Sequence, residues 1–235
     1  MKHQPVASYR HSAVFLGIVA GVVLAGFAAQ NRQVEGPGLV ESHVHVIPIY
    51  LSVTLLNWLL AFSVWRGIRA RGGSVAELIG GRWGDLGELI RDLGIAAVFW
   101  GAFWAVAWGM HEWLGHGDEK SVDVLLPRTA LEIAAWIVTS ASAGFCEELV
   151  FRGYVQRQAL ALSQHPWVAI AVQGLVFGMM HAYQGWRSVV SISVLGMMFG
   201  GLAAWRKTLR IGMVAHAWQD IWAGWLSNVL TGRFG

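Results

Sequence analysis

The sequence predicts an all-α fold: a polytopic bundle of about seven membrane helices with an amphipathic helix on the cytoplasmic interface. Three observations predict it. Hydrophobic residues fill 55% of the 235 positions and charged ones only 13%, a balance that disfavours a soluble domain. Long apolar runs recur, each near the roughly 20 residues that a helix needs to cross a hydrocarbon core of about 30 Å. Fourteen tryptophans and 29 glycines accompany them, as suits helices that end at lipid interfaces and pack closely within a bilayer.

The first run, about 13–30, follows a short segment carrying Lys2 and Arg10. It is too long for a signal-peptide core and reads as a retained first span. A second run covers about 44–65. Between it and the third, at 93–114, lies SVAELIGGRWGDLGELIRDLG, where Leu86, Leu89, Ile90 and Leu93 repeat at helical spacing. Asp85, Glu88 and Arg91 take the other faces, so a helix lying on the interface is expected. Four further spans are read at about 130–150, 166–184, 188–205 and 211–230. The pairs Gly17/Gly21 and Gly196/Gly200 are four apart and would let helices approach closely.

With the N-terminus in the cytoplasm, twelve basic residues fall inside and only Arg32, Lys120, Arg128, Arg187 and Arg233 outside. This bias orients a multi-pass protein of the cell membrane. The acidic loop around GHGDEKSVD fits the exterior. Basic residues form no stripe, which argues against a nucleic-acid partner. Cys146 is the only cysteine; it reads as a small buried apolar residue and excludes both an intrachain disulfide and a thiolate zinc cluster.

Ionisable groups inside apolar runs are costly and collect at function. GFCEELVFRGY carries Glu147, Glu148 and Arg152. On a helix Glu148 and Arg152 share a face, whereas Glu147 is rotated by about 100°. Arg152 can neutralise Glu148 while Glu147 points elsewhere; the plain structural reading is an ion pair with one spare carboxylate. FGMMHAY places His181 four residues after Phe177, and VAHAWQD places His216 and Asp220 four apart. Convergence of these groups would suit activation of water by a carboxylate shielded from bulk solvent, with histidines to orient the water and stabilise an oxyanion. Asp220 can accept from His216 and fix its tautomer. The two imidazoles and one carboxylate also suit a zinc ion. HEWLGH, from His111 to His116, resembles a zinc-protease motif but carries three residues between Glu112 and the second histidine, so the histidines leave a common face. It reads as an interfacial loop, as do His43 and His45.

The three stretches together resemble the CPBP family of intramembrane proteases (CAAX proteases and bacteriocin-processing enzymes), whose pattern is EExxxR, FxxxH, then His followed four residues later by Asn or another small polar residue. Glu147, Glu148 and Arg152, then Phe177 and His181, then His216 and Asp220 supply it in that order. The resemblance covers roughly 125–230, within a catalytic bundle at 125–235; 1–124 would be N-terminal membrane helices and the connector of one integrated domain. It implies that Glu147 activates water for peptide-bond hydrolysis and that Glu148 and Arg152 hold the motif helix. It also implies that His181 positions the water, that His216 with residue 220 forms an oxyanion site, and that Phe177 belongs to the substrate pocket. Type II CAAX prenyl endopeptidases of this family cut prenylated proteins, so the implied partners are membrane lipid and a peptide or prenylated protein. No cofactor is certain; zinc, if bound, would lie among Glu147, His181 and His216. An ionised Asp220 can only accept, which favours orienting His216 over donating to an oxyanion.

Depth along the helices supplies one further expectation. His181 lies about 15 residues into its run, roughly 22 Å from the cytoplasmic end. It meets Glu147 only if the fourth span continues through Leu162 and the next two form a shallow hairpin. Two other readings stay open: a non-catalytic resistance or immunity factor on the same scaffold, and a small proton-coupled transporter.

Overall fold

The computed structural model describes residues 3–35, 46–115 and 125–230. They form α1 (Tyr9–Glu35), α2 (Val46–Arg69), α3 (Val75–Ile79), α4 (Leu86–Leu114), α5 (Ala130–Ser163), α6 (Pro166–Met179), α7 (Trp186–Arg206) and α8 (Arg210–Leu230). The described residues contain no strand, so the all-α expectation holds. His43, His45, His116, Lys120 and Arg233 lie outside the described residues; His111 and Glu112 occupy the last turn of α4.

Among the described residues five helices are long and apolar enough to cross a membrane: α1, α2, α4, α5 and α7. α6 and α8 are not among them, so the exact count of seven is not confirmed. The run read as a span at 166–184 makes only the 14 residues of α6, about 21 Å at the helical rise. The chain then turns through a short 3₁₀ segment, Ala182–Gln184, into Gly185 at φ 87°. By contrast α5 continues for 34 residues, well past a bilayer's thickness and through Leu162, as the depth of His181 requires.

The expected interfacial helix is replaced by two pieces. Gly80 and Gly81 take φ 96° and 72°, a left-handed conformation that stops α3. Asp85 then caps α4 by accepting from Glu88 N, so the stretch from Leu86 runs directly into the membrane helix. Asp85 and Arg91 stay exposed, whereas Glu88 and Asp92 turn toward protein. Buried Asp92 lies 3.2 Å from Arg206 and 3.4 Å from Arg210, and Glu88 pairs with Arg210. Leu86, Ile90 and Leu93 point outward, where lipid would cover them.

Two apolar cores hold the bundle. One gathers Phe15, Val64, Ile68, Val150, Phe151 and Tyr154 from α1, α2 and α5; the other gathers Ala96, Phe103, Phe199 and Ile211 from α4, α7 and α8. The N-terminal segment is tied to α5 through Gln158, which accepts from Val6 N at 2.8 Å and donates to Ala7 O at 3.1 Å. His11 bridges Tyr154 Oη (2.7 Å) and Ser63 O (3.0 Å). These ties set α1 as a wall of the bundle. Close approach is bought by glycine where helices cross: a Cβ on Gly144 would meet Ala217 N of α8 at 2.7 Å, and one on Gly200 would collide with Gln173 Nε2. Gly17 and Gly21, expected to pack similarly, face open space. Exposed Trp65, Trp83, Trp167 and Trp205 fall at one end of the alternating helices, and Trp108, Trp113 and Trp186 at the other, as two interfacial belts would.

Candidate active site

The site begins where α5 changes pitch. The helix is α-helical to Glu147, π-helical over Glu148–Val155 and α-helical again from Gln156. A π turn inserts extra backbone without breaking the helix and recurs at functional sites. Here every residue of Glu148–Val155 is buried, which drives Glu148 and Arg152 into protein while Glu147, just before the change, reaches a cavity.

Glu148 and Arg152 are 0% and 1% exposed. Arg152 Nη1 lies 3.0 Å from Glu148 Oε1, and Nη2 donates to the Gly196 carbonyl at 3.1 Å. The guanidinium also sits between rings, 4.5 Å from the centroid of Phe177 and 5.0 Å from that of Phe199, a cation–π arrangement that suits a dry setting. The pairing read from four-residue spacing is therefore present.

His216 departs from the expectation. Its Nδ1 donates to Glu148 Oε1 at 3.0 Å, so Glu148, and not Asp220, fixes the orientation of the ring. Nε2 lies 3.7 Å from both Glu147 Oε2 and Asp220 Oδ2, so an imidazolium, with a hydrogen on each nitrogen, is the form that suits the three surrounding carboxylates. The reason is the approach of α8. A Cβ on Gly212 would stand 2.8 Å from Glu148 Oε2, so only glycine lets α8 close on the carboxylate. Trp136 Nε1 donates to the Asp220 carbonyl at 2.8 Å and fixes the register further along. Gly212→Ala is expected to cost about 1–3 kcal/mol by overpacking, because Glu148 is held by Arg152 and His216 and has little room to yield. Thermal melting in detergent measures that cost.

Glu147 and His181 line one cavity of about 670 Å³, closed by Val22, Ala25 and Gly26 of α1, Leu56 and Leu60 of α2, and Phe151 of α5. Its walls are mainly apolar. His181 follows the end of α6, and its Nδ1 donates to the Phe177 carbonyl at 3.0 Å, which leaves Nε2 as the acceptor of the neutral ring. Phe177 does not line the cavity. It is packed against Arg152, Phe151, His181 and His216, a backing for the charged residues rather than a pocket wall. His216 and Asp220 likewise stand behind Glu147 rather than on the cavity surface.

Asn57 is the residue that motif reading missed. It comes from α2, is buried, lines the same cavity, and donates from Nδ2 to Glu147 Oε1 at 3.2 Å. A polar amide inside an apolar 24-residue helix is the signal that could have found it. Among the described residues no three His, Cys, Asp or Glu side chains form a group that could hold a metal ion. The expected zinc set of Glu147, His181 and His216 thus does not fit a ready-made site. Cys146 is buried beside it, as its size suggested.

Residues 129–222 match the family model described as type II CAAX prenyl endopeptidase Rce1-like. The match is consistent with the CPBP family and supports, at family level, a CAAX-type intramembrane protease. No curated protein and no solved structure matches the chain.

Proposed function

We propose that this protein is a membrane-embedded endopeptidase of the cell membrane, N-terminus cytoplasmic, which hydrolyses a peptide bond of a lipidated, CAAX-like protein or peptide. The observation that carries it is Glu147: a carboxylate on the wall of an apolar cavity that His181 also lines, held through one oxygen by Asn57 and near His216 by the other. An apolar cavity beside a general base suits a substrate whose lipid enters with the scissile bond.

In this reading Glu147 takes a proton from water, and the water oxygen bonds to the scissile carbonyl carbon while the carbonyl electrons pass to its oxygen. Glu147 returns the proton to the amide nitrogen as the C–N bond breaks, releasing an acid and an amine. His181 accepts the water's other hydrogen at Nε2 and so orients the attack. His216, anchored by Glu148, sits behind Glu147 with Asp220 and steadies its charge through the cycle. Glu148 and Arg152 hold that arrangement.

The test incubates detergent-purified protein with farnesylated and unprenylated CAAX peptides, with and without chelator, beside Glu147→Ala. Cleavage equal in wild type and variant rejects the mechanism. The cavity supplies a second test. A Cβ on Gly26 would make only ordinary contacts, the nearest 3.5 Å from Tyr183 N, so a longer side chain would fit the backbone and fill the cavity. Gly26→Leu is expected to raise KM for the farnesylated peptide about tenfold, the effect of losing roughly 1.4 kcal/mol of apolar burial. An unprenylated peptide should be unaffected; equal effects on both would count against a lipid in this cavity.

A further inference from the structure

We infer that Asn57 is a catalytic residue of this site, whose amide donates one hydrogen to Glu147 and the other to the oxyanion that forms on the scissile carbonyl. The inference rests on the hydrolytic reading of the cavity and adds a residue from α2, outside the segment 129–222 that matches the protease family.

It follows from counting donors. Hydrolysis places a full negative charge on the carbonyl oxygen, and a site shielded from water must meet it with fixed donors. The polar side chains lining the cavity are those of Ser52, Asn57, Glu147, His181 and Tyr183. The Ser52 hydroxyl donates to the Pro48 carbonyl at 2.8 Å, and the His181 Nδ1 hydrogen is used by the Phe177 carbonyl at 3.0 Å. Glu147 as a base has no hydrogen to give. Among the described residues this leaves the second N–H of Asn57 and the hydroxyl of Tyr183, whose oxygen already accepts from Gln184 Nε2 at 2.8 Å.

Asn57 is better placed of the two, because its Nδ2 stands 3.2 Å from Glu147 Oε1. The water activated by Glu147 and the carbonyl it attacks must both lie next to that carboxylate, so the second hydrogen, on the same nitrogen in the same cavity, is within reach of the reacting atoms. Burial within an apolar helix also explains why the amide keeps one orientation: Glu147 is the acceptor that satisfies it. Asp220 cannot share the task while ionised, having no hydrogen to donate.

The test uses the full-length protein in detergent with a fluorogenic farnesylated CAAX peptide and, separately, a farnesylated peptide aldehyde whose hydrate mimics the tetrahedral intermediate. Asn57→Leu is expected to lower kcat about 10²-fold, the effect of deleting one oxyanion donor, with KM within twofold. It should weaken the aldehyde by a similar factor while leaving the substrate peptide's affinity unchanged. Asn57→Gln, which keeps an amide, should recover part of kcat, and it replaces Asn57→Leu if that variant does not fold. A kcat within threefold of wild type, or equal losses for aldehyde and substrate, overturns the inference. If wild type cleaves and Glu147→Gln does not, the hydrolytic reading stands and the Asn57 variants decide this residue alone; if wild type does not cleave, both fall together.

Discussion

Glu147→Gln is expected to lower cleavage of a farnesylated CAAX peptide by about 10³-fold, within the range that a lost general base costs, while the protein melts as wild type does. The substitution keeps the size of the side chain and an oxygen that can accept from Asn57 Nδ2, but it removes the ability to take a proton from water. It spares the buried ion pair, because Arg152 is partnered by Glu148 at 3.0 Å and not by Glu147. That separation makes the result readable. Glu147 sits before the π-helical segment and faces the cavity, whereas Glu148 opens that segment and faces Arg152 and His216. Loss of activity with an unchanged melting temperature assigns chemistry to Glu147. Retention of more than a tenth of the activity would show that another group activates the water.

The division between these neighbouring carboxylates was legible in the sequence because helix periodicity fixes it: Glu148 and Arg152 share a face, and Glu147 does not. The apolar runs likewise announced α1, α2, α4, α5 and α7 as membrane helices. What periodicity could not show was the change of pitch at Glu148, since a π turn leaves the same residues in the same order. The stretch from Leu86 to Leu93 was amphipathic as read, yet its polar face pairs with Arg206 and Arg210 from more than 100 residues away, and a local pattern carries no word of such partners. Asn57 stayed hidden for the same reason. Its partner Glu147 lies 90 residues along the chain, and a single amide in an apolar run has no motif around it. Gly212 shows the limit most plainly: its role depends on a Cβ that would stand 2.8 Å from Glu148 Oε2, a fact of packing between two helices.

The same geometry separates what the two halves of the chain contribute. Glu147, His181 and His216 fall within the matched segment 129–222, whereas Asn57 and the apolar wall of Val22, Gly26 and Leu56 come from α1 and α2. Under the proposed function, the general base and the groups that hold it belong to the matched helices, while the N-terminal pair supplies the apolar wall that selects the substrate and, from α2, the Asn57 donor. Substitutions in α1 should therefore act on KM and those at Glu147 on kcat.

Arg152→Ala is expected to be the most destabilising single change, by about 3–5 kcal/mol, the usual cost of stranding a buried charge. Glu148 would remain fully buried, with only His216 Nδ1 to satisfy it, in place of a cation 3.0 Å away. The guanidinium also fills the space between the Phe177 and Phe199 rings and holds the Gly196 carbonyl of α7, so its loss opens a cavity where α5, α6 and α7 meet. Thermal melting in detergent reads the effect, and a shift of only a degree or two would show that the pair contributes little. The double change Glu148→Leu with Arg152→Met separates charge from function. Replacing a buried ion pair by apolar side chains of similar volume is often neutral for stability, so the double variant should melt well above Arg152→Ala. It should nonetheless stay inactive, because His216 would lose the acceptor that orients its ring, and with it the contact at 3.7 Å between Nε2 and Glu147 Oε2. Recovery of both stability and cleavage would mean that Glu148 and Arg152 serve only to fill the interior, and that Glu147 needs no support from behind.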